Sequence, residues 1–255
     1  MRYAIELRPA PDVSRGAPTN LPVPPPELWE GYGGTDAEYL VGGKADTTRM
    51  LEVLAAAGVT PGALRRVMDF GCAAARMLRF YPHPDGQSEM WGVDVSAPHI
   101  SWCQRYLSPP FLFATTTTFP HLPFEDGYFD LIYSASIFTH ITDLADAWLL
   151  ELRRVTRVGG HLYVTIHDRH TVELLLSPAY AAFSLAEQVR RLDRESGVLR
   201  QDYVGFAFDS EPYYRFPQVF YDVEYLTQKW ARWLRVVSVT PEAYGHQTAL
   251  VLRKS

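Results

Sequence analysis

Two cysteines in 255 residues, Cys72 and Cys103, are too few for a disulfide framework, and neither belongs to a C-x-x-C motif. Reduced thiols in a cytoplasmic compartment are the expectation. No apolar run approaches the ~20 residues that would span a bilayer, so no membrane partner is expected. The N-terminus "MRYAIELRPAPDVSRGAP" has no hydrophobic signal core, which argues against secretion. Basic residues are outnumbered, 24 against 29 acidic ones, for a net charge of −5. No nucleic-acid partner is expected from that balance. No internal period suggests a solenoid. Metal ligands are scarce too. His167, Asp168 and His170 lie close together, but three ligands so near in sequence rarely make a geometric site unaided. No metal is expected.

What is present is a globular composition, 47% hydrophobic and 21% charged, with length enough for one sizeable α/β domain and an insertion. Residues 9–26 form a proline-rich arm. The stretch "WEGYGGTDAEYLVGGK" reads as a loop, and an amphipathic helix is expected from about Asp46, stopped by Gly58 and Pro61. A rhythm follows. "RRVMDFG", "EMWGVDVS", "FLFATTTT", "YFDLIYSAS" and "HLYVTIH" read as strands. "AAARMLRFY", "APHISWCQRYL" and "LADAWLLELRRVTRVGG" read as helices between them, the last with a glycine stop. Such alternation means a parallel sheet. It breaks at 168–230, an insertion rich in aromatic residues, and resumes with "LRVVSVT" and "QTALVLRK", too close together to be parallel. The division expected is 1–45 as arm and lid and 46–255 as the main domain, with 168–230 as a substrate-side insertion.

The first strand ends in "MDFGCAAAR", a nucleotide-binding turn with one glycine, Gly71, where two or three are usual. Asp69 would repel a pyrophosphate there and attract an ammonium. Asp94 ends the second strand ~20 residues on, where an acidic side chain can hold a ribose diol. An amino group at one end and a ribose at the other describe S-adenosylmethionine.

The chain resembles the class I S-adenosylmethionine-dependent methyltransferases of the bacterial small-molecule type. The resemblance rests on "VMDFGCAAAR", "WGVDVS", "LPFEDGYFDLIYSASIFTHI" and "LRRVTRVGGHLYVTIH". It implies a Rossmann-like doubly wound sheet of seven strands, mostly parallel with an antiparallel last strand, and a small-molecule acceptor. A homodimer is compatible with it. Asp69, Gly71 and Ala73 would line the methionine end of the cofactor, and Asp94 and Val95 the ribose and adenine. Thr117 would flank the adenine and Ser134 would lie beneath the cofactor, while Tyr32 and Gly43 would belong to a lid. Ala73 and Ala75 depart from the family's glycines, and alanine at a positive φ would be strained.

His167 and His140 follow strands five and four, at the sheet edge where ligands of open α/β sheets bind, and are the candidate bases. A bracing role for His140 is the competing reading. Cys72 sits where a helix N-terminus would lower its pKa, yet a small filler beside the cofactor is the simpler role. Arg76 and Arg79 read as a solvated or domain-bridging face. Tyr203, Phe206, Phe208, Tyr213, Tyr214, Phe216, Phe220 and Tyr221 either wall an acceptor pocket or simply pack the insertion. Two rival functions stay open here. A short-chain oxidoreductase would use a Tyr-x-x-x-Lys pair, which "YLTQK" at 225–229 matches too late in the chain. A non-catalytic relative of the methyltransferases would have lost its cofactor with its glycines.

Overall fold

The computed structural model describes residues 21–82, 88–196, 203–206 and 217–255. Nine strands are defined among them. They are β1 Arg66–Phe70, β2 Glu89–Asp94, β3 Leu112–Thr115, β4 Phe129–Ser134, β5 Thr156–Ile166, β6 Tyr203–Phe206, β7 Gln218–Tyr221, β8 Arg235–Tyr244 and β9 Gln247–Arg253. The helices are α1 Asp36–Ala56, α2 Ala97–Tyr106, α3 Ala145–Val155, α4 Arg169–Leu176, α5 Ser184–Ser196 and α6 Val223–Trp230.

Seven strands make the main sheet in the order β3-β2-β1-β4-β5-β9-β8. Strands β1 to β5 are mutually parallel, and β9 runs antiparallel to both β5 and β8. This is the doubly wound sheet expected from the alternation. The order reverses at β1, and a crevice opens beyond the carboxyl ends of β1, β2 and β4.

Period-two alternation splits the strand residues between two apolar layers. Val67, Leu131, Tyr133, Tyr163 and Val251 face α1 and α2, packing with Met50, Leu54, Ile100 and Cys103. Met68, Ile132, Leu162, Val164 and Leu250 face α3 and α6, against Trp148, Leu152, Leu226 and Trp230. Strands buried on both faces explain why they read as near-continuous apolar runs. A third, smaller cluster joins α4, α5 and β7 through Val172, Leu175, Leu185, Val189 and Phe220.

Several boundaries differ from expectation, each for a local reason. Helix α1 begins at Asp36, not Asp46, so the division at 45/46 falls inside a helix. The Thr35 hydroxyl accepts from Glu38 N–H at 3.2 Å while the Glu38 carboxylate accepts from Gly34 N–H at 2.8 Å, and this reciprocal cap outweighs the glycine pair that follows. Among the described residues no α-helix lies between β1 and β2. Ala73 and Ala75 have φ of 44° and 59°, which a right-handed helix does not admit, and only a 3-10 turn forms, at Leu78–Phe80. Helix α3 passes straight into β5 at Thr156, so Gly159 and Gly160 lie within the strand and do not stop the helix. The insertion contributes a helix not foreseen, α4, capped by the Asp168 carboxylate on Thr171 N–H at 3.0 Å. It also contributes the two-stranded sheet β6-β7. Phe208, Tyr213, Tyr214 and Phe216 lie outside the described residues.

Candidate functional site

A cleft of about 650 Å³ opens at the reversal point of the sheet. Its walls come from the turn after β1, the ends of β2 and β3, the loop after β4, and residues Leu28–Tyr32 ahead of α1. Its size is that of a pocket for a medium-sized organic ligand.

The end of β1 supplies Asp69, and the turn after it Gly71, Cys72, Ala73 and Arg76. Gly71 has φ of 85°, and a Cβ there would lie 2.1 Å from Ile137 Cδ1. The positive φ favours glycine, and a Cβ would also displace the Ile137 side chain. Asp69 is 4% exposed. Burial pushes its carboxyl up to about 8, against the Tyr133 hydroxyl and the Arg76 guanidinium, which favour ionisation. A carboxylate so placed is stabilised by a cation brought into the cleft. Cys72 is no nucleophile. No helix begins there to activate it, and burial pushes the thiol well up.

The Asp94 carboxylate accepts Ala73 N–H through Oδ2 and Ser96 N–H through Oδ1, both at 2.8 Å. It is therefore both the Asx-turn acceptor for α2 and a brace for the β1 turn. Two bonds leave a carboxylate with acceptor capacity for hydroxyls arriving from the cleft. Val95 and Thr117 line the cleft beside it, and Val95 is 48% exposed. Ser96 holds the N-cap position of α2, yet its hydroxyl bonds His99 Nδ1 at 2.6 Å. His99 Nε2 in turn lies 3.2 Å from the Glu30 carboxylate. Burial lowers the His99 pKa, but Glu30 and Asp94 override it and the net shift is upward. The pair ties the segment before α1 to α2 across the cleft mouth.

The loop after β4 is set by a ring of hydrogen bonds. Ser136 N–H donates to Thr165 Oγ1 at 2.7 Å, Thr165 donates to Gln247 Oε1 at 2.7 Å, and Gln247 Nε2 donates to Ser136 Oγ at 2.9 Å. This ring holds Ser136 at φ of 59° and aims Ile137 and His140 at the cleft. His140 Nδ1 donates to the Pro217 carbonyl at 3.0 Å, which puts the imine lone pair on Nε2. Burial lowers its pKa, so the ring is neutral near pH 7. Gln218 reaches the same part of the cleft from β7.

Three residues expected at the site lie away from the cleft lining. Ser134 is fully buried at the end of β4, and the lining passes to Ala135, Ser136 and Ile137. Gly43 packs inside α1, where a Cβ would come 2.5 Å from the Arg76 carbonyl, so it allows close approach of helix and turn. His167 is 2% exposed and is not part of the cleft lining; its ring lies tilted against Phe220 at 4.8 Å and stacked on His246 at 5.3 Å. A strand end can turn its side chain into the insertion as readily as into the cleft, and here the insertion has claimed it. Asp168 caps α4, and His170 pairs with Glu242 at 3.0 Å. Tyr32 does line the cleft. Phe220 and Tyr221 are packing residues, and the Tyr221 hydroxyl donates to the Phe138 and Ile141 carbonyls. Tyr225 and Lys229 ride on α6 outside the cleft lining, and Lys229 is paired with Asp146 at 2.6 Å.

Arg76, read from the sequence as part of a solvated or domain-bridging face, is 6% exposed and lines the cleft. Sequence reasoning missed Glu30, His99, Ser136 and Gln218. For Arg76 a signal existed: it sits among Ala74, Ala75, Met77 and Leu78, an apolar setting for a surface charge.

Residues 68–164 match the family model described as a methyltransferase domain. Among solved structures, magnesium protoporphyrin IX methyltransferase from Synechocystis with bound S-adenosylhomocysteine is similar at 15% identity, TM-score 0.56, with 90% of this chain and 92% of that one covered. A possible histamine N-methyltransferase from Thermotoga maritima is similar at 15% identity, TM-score 0.52, covering 90% and 99%. A methyltransferase from Mesorhizobium loti is similar at 14% identity, TM-score 0.53, covering 81% and 98%.

Proposed function

We propose that the chain is a class I S-adenosylmethionine-dependent methyltransferase, a reading supported by the methyltransferase-domain match over residues 68–164, and that it methylates a hydroxyl or amine of a small-molecule acceptor, with His140 as the base. The observation that carries this reading is that Asp69, Asp94 and His140 line one cleft. S-adenosylmethionine supplies an electrophilic methyl group on a sulfonium. The residues present suit it. Asp69 offers a carboxylate to its ammonium, Asp94 keeps acceptor capacity for its ribose hydroxyls, and Val95 gives an apolar wall for its base. The open side of the cleft, with His140, Thr142 and Gln218, then falls to the acceptor.

A neutral imidazole with its lone pair on Nε2 removes the proton that a hydroxyl must lose as it is alkylated. Pro217 fixes the tautomer, and the Ser136 ring fixes the loop. The remaining work is alignment of nucleophile and methyl carbon. Both acceptor atoms suit this arrangement, with the hydroxyl favoured because it needs the base.

The test is transfer of a labelled methyl group to a panel of small hydroxylated and aminated compounds. On the acceptor found, His140→Gln is expected to lower kcat ~100-fold or more, as general-base losses do. His167→Phe is expected to stay within several-fold. Equal activity of parent and His140→Gln would refute the base, and no turnover on any small acceptor would refute the substrate class.

A further inference from the structure

The segment ahead of α1 forms one wall of the cleft through Leu28, Trp29, Glu30 and Tyr32. Two aromatic anchors hold it. Trp29 is buried, stacked on Tyr39 at 5.5 Å, and its indole N–H donates to the Pro24 carbonyl at 2.7 Å. The Tyr32 ring lies over the Arg76 guanidinium at 3.9 Å, and the Tyr244 hydroxyl donates to that of Tyr32 at 2.8 Å. Between the anchors stands Glu30, with a side chain 54% exposed. Its φ is 51°, a left-handed conformation that a glutamate keeps only where its surroundings impose it. Gly31 and Gly33 follow at φ of 79° and 83°. Glycine has the freedom to absorb a change of backbone direction there.

What Glu30 meets across the cleft mouth is His99 of α2. That ring is 5% exposed, and its Nε2, sealed from water, faces the Glu30 carboxylate at 3.2 Å. The Leu28 carbonyl borders the same ring, and Ser96 Oγ meets Nδ1 at 2.6 Å. Asp94, at the end of β2, is the other carboxylate that acts on it. A ring with oxygens at both nitrogens and carboxylates beside it favours its doubly protonated form. Burial opposes this, yet the net shift of the His99 pKa is upward, and His99 in turn holds the Glu30 carboxyl below its ordinary value. We propose that the His99–Glu30 pair is a proton-controlled latch on the cleft. With the imidazolium in place the wall at 28–33 opens rarely, and with the neutral ring it opens more often, turning at Gly31 and Gly33. The latch is whole below the ordinary histidine pKa of ~6.5, weakens as pH rises through the higher value of the closed state, and changes no further above that. The anchors on either side do not share this dependence, since an indole does not ionise and a guanidinium keeps its charge.

Amide hydrogen exchange on the full chain without ligand, corrected for the intrinsic effect of pH on exchange, tests it. The Tyr32 N–H donates to the Trp29 carbonyl at 2.9 Å and so closes the turn around Glu30, which makes its peptide the reporter. Exchange there is expected to rise ~3–10-fold across the pH range around and above ~6.5, between the worth of an exposed ion pair and that of a charge-assisted hydrogen bond. Peptides from the middle of α1 should stay flat. In Glu30→Gln, a change at an exposed side chain, the rise should vanish, with exchange at low pH already near the parent's high-pH level. Histidine NMR supplies the second readout: the His99 titration should share its midpoint with the exchange profile and move to lower pH in Glu30→Gln. A flat profile in the parent overturns the latch, as does an equal rise in α1, which would mark general loosening. A rise that persists in Glu30→Gln overturns it as well and passes the effect to Asp69, which titrates in this cleft and is intact in both proteins. So does a His99 titration that Glu30→Gln leaves unmoved.

Discussion

Ala73 donates its backbone N–H to the Asp94 carboxylate at 2.8 Å, joining the turn after β1 to the end of β2. The contact comes from a residue held at φ of 44°, in the left-handed region where a side chain is disfavoured. The turn thus keeps the shape that glycine would allow, with alanine in its place.

Relief of that strain is measurable. Ala73→Gly is expected to stabilise the fold by up to ~1 kcal/mol, since a left-handed alanine costs roughly 1–2 kcal/mol and glycine returns part of that as freedom of the unfolded chain. Ala75 also has a positive φ, but its methyl is fully buried, so Ala75→Gly should come out near zero. Urea denaturation of both variants checks the contrast.

Asp94→Ala should fail in two ways at once. It leaves the N–H groups of Ala73 and Ser96 without their acceptor, at a cost of ~1–3 kcal/mol in stability. It should also weaken S-adenosylhomocysteine binding by a similar ~1–3 kcal/mol. Asp94→Asn keeps one carbonyl acceptor and should lose less stability. Denaturation and calorimetry on the pair separate the bracing from the ligand contact.

Cofactor binding should release a proton. The Asp69 carboxyl is pushed up to about 8 by burial, so it is largely neutral at pH 7, while an ammonium ligand selects its ionised form. Affinity for S-adenosylhomocysteine should then rise with pH, by up to ~10-fold per unit below pH 8, and level off above it. Calorimetry in buffers of different ionisation heat reads the proton directly. In Asp69→Asn both the release and this slope should disappear.

Acid should destabilise the protein before its carboxylates titrate. Burial lowers the pKa of His246 to about 4, and burial with His246 and His140 nearby lowers that of His167 further below its ordinary value. The unfolded chain binds protons on both below its ordinary histidine pKa of ~6.5, and the folded chain does not. Stability is therefore whole above that value and falls as pH drops toward 4, by ~2–3 kcal/mol from His246 alone. His246→Phe should flatten the decline, as followed by thermal melts across the range.

The sheet was legible because its strands are apolar runs at regular intervals, and their burial on both faces requires that pattern. That Asp69 and Asp94 line one cleft was legible for the same reason: both sit at strand ends, and strand ends converge on one edge. The direction of a side chain beyond a strand end was not. His140 lies in the loop six residues past β4 and His167 directly after β5, both on the same sheet edge, and the packing of Phe220 and His246 walls His167 off. Arg76 was misread because its partners Asp46 and Tyr244 lie 30 and 168 residues away, beyond any local pattern. The helix expected after β1 failed on two backbone angles that alanine does not advertise.

Strand β7 has one further consequence. Gln218 and Phe220 are two residues apart and so share a face of it. The first lines the cleft, and the second is embedded among Val172, Leu175 and Val189 of α4 and α5. A methylene gained or lost between those helices is passed along two residues of extended backbone to the cleft wall at Gln218. The shape of that wall can therefore drift through substitutions that never line the cleft, while Asp69 and Asp94 stay as they are.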